Sequence, residues 1–294
     1  MNKPTLWWRL IAAAVLAALL VLNRYAPLQA EFVALYAGLG IALLGFLCVL
    51  VPLRFLGIRR RVTGLLLLGA GVLVVAAALL WPAPTLRSSR PHQRIDDFMP
   101  SYSFYEFHET HVNAPPDAVV AAMHRVGLAD LPAAVFLMRV RGMAAGHRES
   151  GELPRESLLD LMSRPGSGFL VLDASDPHEY VGGMVGRATA PKPPIHTPGE
   201  FLAFKDPDGI RVAFNLCVSD AAGGGTRLTS ETRVLCNGDA GRRLFAGYWR
   251  VIYPGSAIIR RVWLDAIAEV AQKAARERDA GGGRGPGPGD IERP

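Results

Sequence analysis

The sequence predicts an α+β domain, in which an antiparallel sheet curves around one long C-terminal helix, preceded by three transmembrane helices. Three observations predict it. Three long apolar runs come first. A series of alternating strand segments separated by turn residues follows. A one-sided amphipathic helix ends the folded part, and its single apolar stripe needs a partner surface, which a curved sheet supplies.

The apolar runs cover residues 6–22, 32–51 and 62–81, each near the roughly 20 residues that span a bilayer. Tryptophan and tyrosine lie at their ends, where amphipathic rings favour the membrane interface. The first run is the shortest and could also be a signal peptide. Its cleavage site is incomplete, since Leu28 precedes Gln29-Ala30, and this favours an uncleaved anchor.

The loops between the runs predict the orientation. Residues 52–61 carry four arginines and should stay in the cytoplasm, whereas the first connection carries Arg24 balanced by Glu31. Three arginines between residues 87 and 94 oppose this bias without cancelling it. We therefore expect a multi-pass protein of a bacterial-type cytoplasmic membrane, with its C-terminal domain outside the cytoplasm.

The net charge of +6 belongs to the membrane part. Residues 1–85 hold seven basic residues and one acidic residue, and the remainder holds 25 of each. A neutral domain without a basic stripe argues against a nucleic-acid partner. No metal spacing, phosphate loop or cofactor motif is present, so we expect no cofactor. Three cysteines give no disulfide framework, although a Cys217–Cys236 bridge stays open if the domain is oxidised.

The organisation after residue 81 is an extended Pro/Ser/Arg linker over 82–94, one domain over 95–278, and a disordered Gly/Pro tail over 279–294. Alternation and turn signals predict five strands, and apolar periodicity predicts three short helices and one helical turn. The strands are 103–112, 169–174, 179–188, 210–218 and 226–235, the helices 117–126, 131–143 and 157–162, and the helical turn 201–204.

The terminal helix is predicted over residues 239–278, in two pieces joined at Pro254-Gly255-Ser256. Its second piece carries an apolar stripe that includes Ile259, Trp263 and Ile267. Arg260 and Arg261 are placed on the solvated side.

Three segments carry a family resemblance: FHETHVNAPPDAV at 107–119, GTRLTSETRV at 225–234 and YWRVIYPGSAIIRRVWL at 248–264. They resemble the opening strand, the last strand and the terminal helix of the helix-grip superfamily, which includes START-like, Bet v 1-like and polyketide-cyclase-like (SRPBCC) domains. The resemblance implies a curved sheet gripping the last helix around an apolar cavity. Members bind lipids, sterols or polyketides, a few catalyse reactions there, and no shared catalytic motif carries over.

The densest polar cluster is EFHETH at residues 106–111. The spacing differs from HExxH, and alternation on a strand places His108 and His111 on opposite faces, so the cluster predicts no metal site. It predicts Glu106 with His108 on one face and Glu109 with His111 on the other, each as an ion pair. Glu106 and His108 share the parity of Phe104 and would become polar anchors or an acid/base pair if they face a cavity.

Aromatic and aliphatic side chains could line such a cavity, although such stripes more often form plain core. The candidate ligand-binding residues are Phe104, Phe136, Phe169, Phe214, Tyr248, Trp249, Ile259 and Trp263.

The leading hypothesis is a membrane-anchored protein that binds a hydrophobic or amphipathic small molecule or lipid, with the bilayer as its partner. One alternative is a cyclase/dehydrase-like or hydrolytic enzyme that uses Glu106 and His108. Another is a structural or regulatory envelope protein with a filled core. Since no catalytic motif is present, binding without catalysis is preferred.

Overall fold

The computed structural model describes residues 30–51, 53, 58, 60–81, 83–144, 154, 156–187, 191 and 193–282. The chain divides into two compact units. The first comprises residues 1–84 and 238–258, and the second comprises residues 85–237 and 259–294. The expected first span at residues 6–22 lies outside the described residues, as does the tail after residue 282.

The first unit contains two apolar helices, α1 (Ala30–Leu50) and α2 (Arg61–Leu79). Each has a 19-residue stretch long and apolar enough to cross a membrane, with mean hydropathies of 2.4 and 2.5. Only 22% and 17% of these stretches are buried, which is unlike the core helices of a soluble domain. Two candidate spans are thus present among the described residues, where three were predicted along the chain.

Glycines let α1 and α2 pack closely. A Cβ on Gly64 would lie 2.8 Å from the backbone nitrogen of Val49, and side chains at Gly45 or Gly71 would also collide with the facing backbone. Small residues at a contact between apolar helices allow close backbone approach, and this is how such helices associate in lipid.

The longest helix, α8 (Asp239–Gly282), runs without interruption for 44 residues. The predicted break at residues 254–256 is therefore wrong, because Pro254 lies inside the helix. Proline has no N–H, so the carbonyl of Arg250 loses its helical partner. The hydroxyl of Tyr36 on α1 donates to that carbonyl at 3.2 Å and replaces the missing bond.

The side chain of Arg250 caps α2. It is 2% exposed and donates from Nη1 to the Leu79 carbonyl at 3.1 Å and from Nη2 to the Trp81 carbonyl at 2.7 Å. The last carbonyls of a helix have no intrahelical donors, and a cation there also favours the helix dipole. Phe32 stacks on Tyr253 at 4.3 Å in the same unit. Residues 239–258 of α8 are thus built into the first unit by polar and aromatic contacts.

We expect Tyr36→Phe to destabilise the first unit by about 1 kcal/mol, because it removes the donor to the Arg250 carbonyl. Pro254→Ala restores the helical N–H, so the same change should cost clearly less in that background. Melting temperatures of the full-length single and double mutants in one detergent give the coupling. Tyr248→Phe, at an exposed position of the same helix, is the control. Equal costs in both backgrounds would contradict the replacement.

The second unit contains a two-stranded sheet and a five-stranded antiparallel sheet in the order β3-β7-β6-β5-β4. The strands are β1 (Leu86–Arg87), β2 (Ser101–Tyr102), β3 (Phe104–Val112), β4 (Leu170–Asp176), β5 (Glu179–Arg187), β6 (Gly209–Asp220) and β7 (Thr226–Cys236). The helices before α8 are α3 (Ile95–Phe98), α4 (Pro116–Met123), α5 (Pro132–Ala144), α6 (Leu158–Ser163) and α7 (Pro198–Ala203), with a 3-10 turn at Leu128–Asp130.

These elements confirm the predicted α+β class and the order of strands and helices. Thr197 caps the start of α7, since its Oγ1 accepts from the Glu200 N–H at 3.2 Å and Pro198 follows. Gly223, Gly224 and Gly225 all have positive φ, which the tight β6–β7 connection requires.

One face of the large sheet packs on α4, α6 and residues 259–271 of α8 and forms the main core, with Phe214, Leu216 and Trp263 almost fully buried. We call it the helix-facing face. The buried stripe of α8 contains the predicted Trp263 and Ile267 and also Leu264 and Ala268, whereas the predicted Ile259 is only half-buried.

The opposite, outer face of the sheet holds a buried ion network. Arg233 bonds Glu231 at 2.9 Å and Asp96 at 2.7 Å, and Arg90 reaches Glu231 at 3.1 Å. The N–H of Arg94 donates to Glu179 at 2.9 Å. These bonds hold residues 90–99 against the sheet. The segment expected to be an extended linker over 82–94 is thus mostly folded, with β1 paired to β2 and the second unit starting at residue 85.

Asp96 gives this network a pH dependence. Burial alone would raise its pKa, but hydrogen bonds from the Gln93 N–H and from Arg233 outweigh burial and hold the pKa below its ordinary 3.8. A carboxyl with a lowered folded-state pKa stabilises the fold above its unfolded pKa and loses that contribution as pH falls through the folded value.

We therefore expect the free energy of unfolding to decline as the pH falls below about 4. Asp96→Asn should flatten that decline and reduce stability at pH 7 by about 1–3 kcal/mol. Denaturant unfolding of the full-length protein between pH 7 and pH 2.5 measures both. Asp97→Asn, whose side chain is 46% exposed, is the matched control. An unchanged pH slope in Asp96→Asn would refute the role of this carboxyl.

Candidate functional site

Glu106 and His108 form a buried polar pair on the helix-facing face. Strand alternation in β3 turns both toward the core, as it does Phe104 and Val112. Glu106 is 1% exposed and His108 is 5% exposed. Glu106 Oε1 and His108 Nε2 lie 2.7 Å apart. The predicted pair on this face is therefore present, and it points inward.

Two hydroxyls of β7 lie beside this pair. In the antiparallel register, Ser230 is opposite His108 and Thr232 is opposite Glu106. On the other side of β7, Thr232 is opposite Phe214 of β6. Residues directly opposite in neighbouring strands have Cβ atoms about 5 Å apart on the same face. The register therefore places a carboxylate, an imidazole and two hydroxyls at neighbouring positions on one face of the sheet, with Phe214 beside Thr232.

The helix supplies Trp263 and Arg260 to the same place. The guanidinium carbon of Arg260 lies 4.8 Å from the ring centre of Phe214 and 5.5 Å from that of Trp263. A cation over aromatic faces is attracted by their quadrupoles. Burial lowers the pKa of Arg260, and the negative charge of Glu106 partly opposes that effect. The expectation that Arg260 lies on a solvated face is wrong, because its guanidinium reaches the core aromatics.

Three buried polar atoms at this site have no hydrogen-bond partner among the described residues: Ser230 Oγ, Thr232 Oγ1 and Trp263 Nε1. Their residues are 1%, 6% and 1% exposed. Buried polar groups are nearly always bonded, and an unpaired one costs about 1–3 kcal/mol. Three such atoms in one core form a group of hydrogen-bond donors without an acceptor among the described residues. We call Glu106, His108, Ser230, Thr232, Arg260 and Trp263 the polar cluster.

The predicted ligand-binding residues separate into groups. Phe169, Phe214, Ile259 and Trp263 belong to one core, with Phe169 edge-on to Phe214 at 6.1 Å. Phe104 is buried on the same face of β3 as Glu106 and His108.

The other three lie elsewhere. Phe136 on α5 is 66% exposed, because the apolar face of that helix turns Ala134 and Val135 inward instead. Tyr248 and Trp249 lie in the first unit, where Trp249 packs against Phe245 and Tyr253.

The predicted Glu109–His111 ion pair does not form. Glu109 instead pairs with Arg227 across the strands at 2.5 Å, and His111 bonds Asn113 at 3.1 Å. A side chain on a strand can pair with a cross-strand neighbour or with a same-strand neighbour two residues away. Glu109 pairs with the cross-strand Arg227. Among the described residues, no group of three or more His, Cys, Asp or Glu is arranged to hold a metal ion.

The cysteines are free thiols, so the open alternative of a Cys217–Cys236 bridge is not realised. Cys217 pairs with Thr229 and Cys236 with Ile210 in the β6–β7 register, which places the two cysteines far apart along the hairpin. Burial raises the pKa of the Cys217 thiol to about 11, with nearby carboxylates adding to the effect. This thiol is not activated for nucleophilic chemistry.

Sequence patterns held a signal for the residues that were missed. Arg260 precedes Trp263, Leu264 and Ile267 by three, four and seven residues, which is the spacing of one helix face. Ser230 and Thr232 occupy the same every-second-residue positions of β7 as the buried Leu228 and Val234. Because Arg260, Ser230 and Thr232 are polar, a count of apolar residues alone misses both the helix pattern and the strand pattern.

Two surface clefts, of about 770 and 310 Å³, are lined by residues outside the polar cluster, the larger by His111, Asn113 and the Gly223–Gly225 loop.

No known protein family, curated protein or solved structure matches this chain.

Proposed function

We propose that this protein is a membrane-anchored, helix-grip binding protein for an amphipathic molecule or lipid, which occupies the interior between the large sheet and α8. One observation carries the proposal: three almost fully buried polar atoms without a partner among the described residues share the core between the large sheet and α8 with the Glu106–His108 pair. Ligand sites combine apolar walls with a few convergent polar groups, and a ligand's polar end would complete these bonds.

The resemblance to START-like and Bet v 1-like domains supports the proposal through the order of elements. Five antiparallel strands and a terminal helix that packs on one sheet face are the parts that a helix-grip fold needs. Because the resemblance specifies fold better than chemistry, the polar cluster decides the choice of ligand class.

The membrane anchor supports a lipid-derived ligand. Two helices suited to a bilayer belong to the same chain as the binding unit, and covalent connection raises the effective concentration of a membrane-dissolved ligand. We place α1 and α2 in a bacterial-type cytoplasmic membrane with the arginine-rich connection before α2 inside. The second unit then lies on the extracytoplasmic side.

Entry requires the interior to open, and Arg260 is the side chain best placed to move. It is half-buried, and it makes no hydrogen bond or ion pair with any described residue. A long, flexible side chain that stacks on two rings can turn toward solvent without breaking a hydrogen bond.

We expect Thr232→Val to weaken ligand binding by about three- to tenfold, since it removes one hydroxyl from the site. The same change should leave the ligand-free protein equally or more stable, because it also removes an unpaired buried group. The measurement uses full-length protein in detergent. Copurifying molecules are identified by mass spectrometry and then rebound to the wild type and the variant after exchange.

The matched control is Thr229→Val on the other face of β7, where the hydroxyl bonds the Cys217 carbonyl at 3.4 Å. It should leave binding unchanged. A protein that carries no apolar molecule and binds none in rebinding would contradict the proposal. That result would instead support the structural or regulatory alternative.

The Glu106–His108 pair supports a second candidate, a cyclase/dehydrase-like or hydrolytic enzyme acting on the same guest. A buried imidazole 2.7 Å from a carboxylate has the geometry of an oriented acid/base group. We expect wild-type protein to copurify with a product and His108→Gln to copurify with its unreacted precursor. His111→Gln, on the exposed side of β3, is the control. Identical molecules in all three proteins would exclude catalysis by His108.

A further inference from the structure

The donors and acceptors of the polar cluster are unequal in number. Trp263 Nε1 and the guanidinium of Arg260 can only donate hydrogen bonds. Ser230 and Thr232 can each donate one. The carboxylate of Glu106 bonds His108 at 2.7 Å, and Ser230 Oγ, Thr232 Oγ1 and Trp263 Nε1 have no hydrogen-bond partner among the described residues. The cluster therefore offers several hydrogen bonds to an oxygen-rich acceptor that the chain itself does not supply.

The charge of Arg260 adds a second requirement. Its guanidinium stacks on Phe214 and Trp263, and burial disfavours its charged form, as the lowered pKa of Arg260 reflects. Glu106 acts on it through space, but no ion pair joins them among the described contacts. A buried cation is stabilised most by an anion that also accepts its hydrogen bonds.

We propose that the guest carries an anionic oxygen head group, a carboxylate or a phosphate, on an apolar chain, and that Arg260, Trp263, Ser230 and Thr232 bind this head. The inference rests on the proposed function and specifies its ligand class. Arg260 meets the anion as a bidentate donor, and Trp263 and the two hydroxyls bond its remaining lone pairs. The apolar chain of the guest lies among the apolar side chains of the same core, which include Val119, Leu216 and Ile267.

The polar cluster also separates this head group from neutral alternatives. An alcohol accepts fewer hydrogen bonds than a carboxylate and brings no negative charge to Arg260. Ordered water could satisfy the hydroxyls and the indole, but it brings no negative charge either. Head-group charge is therefore the property that Arg260 should distinguish.

The test compares three probes with the same chain: dodecanoate, dodecyl phosphate and dodecanol. Full-length protein in a neutral detergent binds each radiolabelled probe in a scintillation proximity assay. Partitioning into micelles is the same for every variant, so ratios between variants report the site. Arg260→Gln should weaken dodecanoate or dodecyl phosphate by about tenfold or more and leave dodecanol within about twofold. Arg261→Gln, the neighbouring arginine that bonds the Glu109 carbonyl, should change none of the three.

The outcomes separate the two claims. A larger effect of Arg260→Gln on dodecyl phosphate than on dodecanoate indicates a phosphate head, and the reverse indicates a carboxylate. Equal effects on the anions and on dodecanol, or no effect, overturn the head-group assignment while binding itself stands. If the wild type binds none of the probes and carries no other apolar molecule, the proposed function fails.

A second variant keeps the assignment testable if Arg260→Gln does not fold. Arg260→Lys retains the charge but loses the bidentate geometry. It should weaken the anionic probes several-fold, with dodecanol unchanged. Full affinity for the anions in Arg260→Lys together with reduced affinity for dodecanol would contradict the assignment.

Discussion

The burial of one stripe of α8 against the five-stranded sheet is the constraint on which the second unit depends. Trp263, Leu264, Ile267 and Ala271 are essentially inaccessible, so this helix cannot rotate without exposing core. Because Arg260 lies on the same face of the helix, burying the stripe also brings a cation against the aromatic core. On this face of the sheet, strand β7 carries two hydroxyls, those of Ser230 and Thr232, and not a carboxylate. The fold thus gathers donors without enough acceptors.

The two faces of the sheet show how differently buried charge is treated. On the outer face, Arg233 is matched by Glu231 and Asp96, and every bond of that network has a partner in the chain. A matched network of this kind fastens one segment to the sheet. On the helix-facing face, Arg260 has two aromatic rings but no described hydrogen bond. We propose that another molecule pairs the groups of this face that have no partner among the described residues.

Much of the fold was predictable because its signals are local. The alternation of apolar and polar residues predicts the ends of β3, β5, β6 and β7 to within about two residues. Turn residues, such as Asp206 to Gly209 and the three glycines at 223–225, indicate the connections. The continuous α8 was not predictable in this way. A proline with no N–H normally ends a helix, and the compensating bond from Tyr36 comes from more than 200 residues away in the chain. The contacts of residues 90–94, which were predicted to be linker, were missed for the same reason, since their partners Glu231 and Glu179 are distant in the chain.

The candidate site was predictable only in part. Parity on β3 identified Glu106 and His108 and their shared face, because alternation needs no tertiary information. The aromatics divided according to burial: Phe214 and Trp263 lie at the polar cluster, whereas Phe136 faces solvent and Trp249 belongs to the other unit. Whether an aromatic residue packs in one core or another depends on which helix face the sheet covers. That choice is made by the whole core and not by local spacing.

The indole N–H of Trp263 shows most directly whether the donors of the polar cluster lack a partner until a ligand binds. Full-length protein labelled with ¹⁵N-tryptophan, with Trp263→Phe to assign the signal, reports its proton chemical shift with and without saturating dodecanoate. We expect a signal typical of an unbonded indole in the ligand-free protein and a downfield shift when the ligand is added. A hydrogen-bonded shift that stays the same in both samples would contradict it, because the donor would then already have a partner.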